Sequence, residues 1–140
     1  RHRIGWHNMA GINIHKTLTA AEVGLDLVLL NASNDSSTIS CSGMNQATFI
    51  FNHSVHASTH NCTFYFEVSI DDGTTWSRLQ TEQISTGVAT LSNASYTKNL
   101  AATGIFTVDI PVNYSHIRIK ALTGGLAGDK MSVTCRLGAI

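Results

Sequence analysis

CTFYFEVSIDDGTTW, residues 62–76, decides the fold. Its first ten residues alternate strictly. Phe64, Phe66, Val68 and Ile70 fall on one side, and Tyr65, Glu67, Ser69 and Asp71 on the other. A period of two is the signature of a strand with one dry face and one wet face. The last residues, Asp71 to Trp76, are a tight-turn sequence. The same alternation recurs in Ala47, Phe49, Phe51 and in Phe106, Val108, Ile110. It returns in Ile117, Ile119, Ala121 and in Met131, Val133, Cys135, Leu137. Arg118, Lys120, Ser132, Thr134 and Arg136 supply the matching polar face. Turn-rich stretches separate these runs at Asn31–Ser37, Asp71–Thr74, Gly87, Gly104 and Gly124–Asp129. The pattern predicts an all-β protein, an antiparallel β-sandwich.

The chain has 140 residues, the length of one domain. Nine basic and nine acidic residues cancel, and charged residues are 13% of the chain, about half the usual ~25%. Ser (14), Thr (16) and Asn (10) provide the polar surface instead. A neutral chain lacks the basic stripe that phosphate binding needs, so nucleic acid is not an expected partner. The densest apolar run, Val23 to Leu30, is broken by Gly24 and Asp26, so no membrane span is expected. Low charge weakens self-repulsion and favours life in an assembly.

One helical turn is expected at Thr19–Leu25, with Thr19 as N-cap, Glu22 three residues on, and Gly24 ending it. Residues 1–17 differ from the rest, holding three histidines with Ile4, Trp6, Ile12 and Ile14. Two readings stay open for them: an extended docking arm, or an edge strand of the sandwich. The working division is an N-terminal arm over 1–25 and a sandwich domain over 26–140. Ile4, Trp6, Ile12 and Ile14 are then the expected contacts to a capsid or to another copy, joined by the loops Asn31–Ser37 and Thr123–Lys130.

Ser69, Asp71, Gly73, Thr75 and Trp76 complete the pattern S-x-D-x-G-x-T-W, which resembles the Asp-box of sialidase propellers and many other β-proteins. The physics is that of a hairpin staple. The Asp carboxylate accepts turn amides, Gly73 takes a positive φ, and Trp76 tucks under the turn. A sialidase needs several copies and an arginine cluster, and this chain has one copy.

FYFEVSIDDGTTWSRLQ (64–80) and GIFTVDIPVNYSHIRIKALTGGLAGDKMSVTCRLGAI (104–140) resemble a recurring pattern in tailed-bacteriophage structural proteins. Its pieces here are Gly104–Asp109, Tyr114–Ile119 and Val133–Leu137, and the resemblance covers about residues 46–140. It implies a jelly-roll-like virion protein, of the capsid decoration or cement type. The implied partners are the major capsid protein and copies of the chain itself, as a homotrimer or a dimer. The implied location is the capsid exterior, with the tail as alternative. It carries no catalytic residues and no cofactor. The alternative is a tail or fibre module that binds host glycan through exposed aromatics, drawn from Trp6, Trp76, Tyr65, Tyr96 and Tyr114.

Other constellations are weaker. His53, His56, His60 and Cys62 have ligand chemistry suited to zinc, but their spacing matches no finger and alternation splits His53 from His56. No metal site is expected. Glu67 and Asp71 lie about 13 Å apart along a strand, beyond the ~5–9.5 Å of a glycosidase pair. Asp109 with Glu82 is the other carboxylate pair considered, and no G-x-S-x-G nucleophile motif occurs. No enzyme activity is expected. Cys41, Cys62 and Cys135 have no C-x-x-C spacing and an odd count, so they read as small buried hydrophobes. Six Asn-x-Ser/Thr sequons, at Asn31, Asn34, Asn52, Asn61, Asn93 and Asn113, keep a secreted glycoprotein in view.

Overall fold

A computed structural model describes residues 14–55, 60–100, 103–124 and 128–139. The alternating runs form two antiparallel sheets that pack face to face. The first contains β1 (Ile14–Leu18), β2 (Val28–Leu29), β12 (Lys130–Ala139), β4 (Gln46–Val55) and β10 (Gly104–Pro111). Both β1 and β2 pair with β12, which pairs with β4, which pairs with β10. The second contains β3 (Ile39–Ser40), β11 (His116–Thr123), β5 (His60–Ser69), β6 (Ser77–Arg78) and β9 (Tyr96–Leu100). Here β11 lies between β3 and β5, and β6 and β9 share the far side of β5. A third pair, β7 (Gln80–Ser85) and β8 (Val88–Asn93), is a hairpin between β6 and β9.

Without β1 and that hairpin, the orders are β2-β12-β4-β10 and β3-β11-β5-β6/β9. Successive strands alternate between the sheets, except that β5, β6 and β9 all lie in the second. This is jelly-roll topology, two interleaved Greek keys.

The core is the inward row of each sheet. Phe49 meets Phe66 at 5.0 Å between ring centroids, and Phe51 stacks on Phe64 at 4.6 Å. Ala47, Met131, Val133, Cys135 and Leu137 line the first sheet, and Ile117, Ile119 and Cys62 the second.

Three expectations need correction. Ile70 continues the alternation of β5 in sequence but stands 81% exposed, because β5 ends at Ser69 and Ile70 already belongs to the turn. Ala121 does not follow Ile117 and Ile119 into the core. The register of β11 against β5 shifts between Lys120 and Thr123, Ala121 takes φ 55°, and Leu122 is the fully buried residue. Residues 14–25, assigned to an arm, belong to the sandwich. β1 runs along β12 from Ile14↔Ala139 to Leu18↔Cys135, and Val23 and Leu25 are fully buried. Between them stands α1 (Ala20–Val23), a single turn with the expected caps. The Thr19 hydroxyl accepts the Glu22 amide, the Glu22 carboxylate accepts the Thr19 amide, and Gly24 ends the turn at φ 83°.

Candidate functional site

The S-x-D-x-G-x-T-W sequence joins β5 to β6. Ser69 Oγ donates to Asp71 Oδ1 at 2.7 Å and accepts the amides of Asp71 and Gly73 at 3.3 and 2.9 Å. Asp71 Oδ1 accepts the Thr75 amide at 2.9 Å, and Oδ2 accepts the Thr75 hydroxyl at 2.5 Å. These donors, Thr75 first, hold the Asp71 carboxyl down at about 2. Asp72 and Gly73 follow in the left-handed region, at φ 59° and 82°. The Trp76 indole is half-buried and donates to the Gly73 carbonyl at 3.1 Å. Ser115 ties the hairpin to the neighbouring turn. Its amide and hydroxyl both donate to the Ser69 carbonyl, and its oxygen accepts the Asp72 amide at 3.0 Å.

From the hairpin a ladder crosses the outer face of the second sheet. Arg118 on β11 and Arg78 on β6 both stand opposite Glu67 on β5. The Arg118 guanidinium forms a pair with Glu67 Oε1, with Nε at 2.8 Å and Nη2 at 2.7 Å, and lies 3.9 Å above the Trp76 ring. The Arg78 guanidinium lies 3.9 Å above the Tyr65 ring and donates to the Ala94 carbonyl and the Ser95 hydroxyl. On the β11 side, Lys120 Nζ meets Asp35 Oδ2 at 3.0 Å, while Asp35 Oδ1 accepts the Ala121 amide at the bulge. The Ala121 amide and the Lys120 ammonium keep the Asp35 carboxyl below its ordinary range. Asn34, Asp35 and Ser36 are residues whose role the sequence reading missed. Together they brace β11, Asn34 through Leu122 and Ser36 through Ile119. The run Asn-Asp-Ser, rich in side chains that bond to backbone, was the available signal. The Asn31–Ser37 loop is thus pinned to β11. The Asn34 sequon sits in that latch, its amide donating to the carbonyls of Leu29, Ala32 and Leu122.

The structure disperses the other candidates. Ile4, Trp6 and Ile12 lie outside the described residues, and Ile14 opens β1 with 55% of its surface exposed. His56 also lies outside them. His53 is buried at the end of β4, with Nε2 4.0 Å from the buried Asp129 Oδ1. Cys62 is buried on β5, and no group of three or more His, Cys, Asp or Glu among the described residues could hold a metal ion. Glu67 is engaged by Arg118, Asp71 by the hairpin, and Asp109 accepts the Thr48 hydroxyl at 2.6 Å. The aromatics serve separate neighbours. Tyr65 carries Arg78, Trp76 carries Arg118, Tyr96 stacks on Phe64 at 5.3 Å, and Tyr114 packs against the core. Cys41, Cys62 and Cys135 are free and buried, and burial pushes their thiols up to about 11, 11 and 12.

Together these features define a class: an all-β sandwich of jelly-roll topology with one Asp-box-type hairpin and a braced outer face. No protein-family model matches the chain, and no curated protein matches it. A solved structure shares the fold, and two more align at lower scores. The SPBc2 prophage-derived protein YomS superposes with a TM-score of 0.51 at 11% identity, over 91% of this chain and 96% of that one. A CBM35 from Paenibacillus barcinonensis gives 0.40 at 17% identity, over 85% and 95%. An infectious bursal disease virus structure gives 0.37 at 16% identity, over 92% of this chain and 33% of that one.

Proposed function

We propose that this chain is a non-enzymatic structural protein of a bacteriophage particle, a decoration or cement protein that bridges neighbouring capsid subunits from outside. One observation carries the reading: the sandwich corresponds along nearly its whole length to a prophage-derived protein, and along nearly that protein's whole length too. The chemistry agrees. The described carboxylates of the catalytic pairs are spent on hydrogen bonds within the fold, as the hairpin and Arg118 illustrate. The weakly charged, Ser/Thr/Asn-rich surface suits adhesion through buried area rather than through long-range steering. The partners are the major capsid protein and further copies of the chain, arranged about a symmetry axis. A tail or fibre module that binds host glycan draws less support, because the faces of Tyr65 and Trp76 are already covered by arginines.

Immunogold labelling of intact virions, paired with co-sedimentation of the purified protein on emptied heads, tests this. Regular labelling of the head and saturable co-sedimentation are expected. Labelling confined to the tail would move the protein to the fibre reading. Virions without label would overturn both.

A further inference from the structure

The two sheets leave one side of the sandwich open. Among the described residues β10 pairs only with β4, and β9 only with β5. The two edges flank a cleft of about 200 Å³, lined by Phe64, Tyr96, Lys98, Phe106 and Val108 among others. Its floor is core. Phe64 is buried, stacks on Tyr96 at 5.3 Å, and lies 6.4 Å from Phe106. Its rim is polar, with Lys98 Nζ 5.7 Å from the centre of the Phe106 ring. The volume is below the ~300 Å³ at which small-molecule sites begin. An edge strand turns half of its N–H and C=O groups away from its sheet. A side-chain-sized slot between two such edges suits an added strand that brings one large side chain.

The chain contains a segment of that kind. In residues 1–13, Ile4, Trp6, Ala10 and Ile12 occupy even positions, interrupted by Asn8, in phase with Ile14 at the start of β1. Extended, thirteen residues reach about 43 Å. Where they start matters. The β1–β12 ladder stops at Ile14↔Ala139, on the opposite edge of the first sheet from β10. Ile14 thus lies on the edge of the first sheet remote from the cleft.

We propose that residues 1–13 of one copy insert as an extra strand into the β9–β10 cleft of a second copy, with Trp6 seated between Tyr96 and Phe106. The proposal deepens the structural-protein reading and rests on it. Head-to-tail insertion is a heterologous contact, which closes into a ring when the rotation allows and otherwise propagates.

The test needs four samples in light scattering: the full chain, a chain lacking residues 1–13, a Val108→Arg chain, and an equimolar mixture of the last two. The shortened chain keeps every residue of the buried core, which runs from Val23 to Leu137. The full chain is expected to associate, and each altered chain alone to be monomeric. Mixed, they should form one-to-one pairs, since one retains the strand and the other the cleft. A fluorescently labelled peptide of residues 1–13 should bind the shortened chain, and Trp6→Ala in the peptide should weaken it about tenfold or more. The peptide measurement uses an unaltered cleft, so it decides even where Val108→Arg fails to fold. Association of the shortened chain like that of the full one, or no peptide binding, overturns the proposal. A monomeric full chain whose peptide still binds the shortened chain means the strand folds back on its own body, and the second-copy occupant is wrong. Head labelling of virions reads none of this, so capsid binding and strand insertion fail separately.

Discussion

At the residue scale, the hairpin shows how much one carboxylate can organise. Asp71 accepts from Ser69 and twice from Thr75, and none of these bonds survives its protonation unchanged. Its carboxyl titrates at about 2 in the fold, against ~3.9 in an unfolded chain. A depressed folded value means the contribution is fully present above the unfolded pKa and fades as pH falls from about 4 towards 2. Asp71→Ala should therefore melt lower than the parent at pH 7, by about 3 °C. The gap should narrow as the pH approaches 2. Thermal melts of both proteins across that range check it, and a gap that stays constant with pH counts against the carboxylate as its source. The cysteines give the opposite case. A thiol held at 11 to 12 and shielded from solvent offers almost no thiolate. All three should resist a thiol reagent at pH 8 while the protein is folded, and all three should react on unfolding in denaturant. Fast labelling of one thiol in the native protein would contradict its burial.

At the element scale, β11 breaks the alternation that identifies it. A strict period of two sends Ala121 inward after Ile117 and Ile119. The bulge spends that residue, bends the strand, and delivers Leu122 to the core. Asp35 and Asn34 hold the bent backbone, the first through the Ala121 amide and the second through Leu122. Two substitutions separate the readings. Leu122→Ala should cost about 2–5 kcal/mol, the range for emptying a buried leucine. Ala121→Gly should be neutral or stabilising by about 1 kcal/mol, because glycine accepts the positive φ that alanine resists. Urea unfolding of the two variants decides between them. A large loss at 121 with little at 122 would restore the unbroken alternation.

At the scale of the whole molecule, what could be read from the sequence follows what is local. The strands β4, β5, β10 and β12 each keep one wet face, so their alternation announces both strand and inward row. The Asp71 hairpin is legible for the same reason, since its bonds span only a few residues. Arg118 over Trp76 is not legible, because a distant strand supplies it. Strand order is not legible either, since alternation says which face is dry but not which strand lies alongside. Nor could β1 be separated from a free arm, as its partner β12 is the last strand of the chain. The completed order explains how stability should be distributed. One continuous core joins both sheets through the Phe49–Phe66 and Phe51–Phe64 contacts. The β7–β8 hairpin stands outside it, with Ile84 70% and Leu91 67% exposed. A two-stranded hairpin is marginal by itself in water. The sandwich should therefore unfold in one cooperative transition, with the core-strand amides exchanging only through it. The amides of Ile84 and Leu91 should exchange orders of magnitude faster by local opening. Native-state hydrogen exchange on dilute, monomeric protein measures this directly. Hairpin amides protected as strongly as those of β4 and β12 would mean the hairpin draws stability from the sandwich after all, and that its exposed face does not report its true coupling.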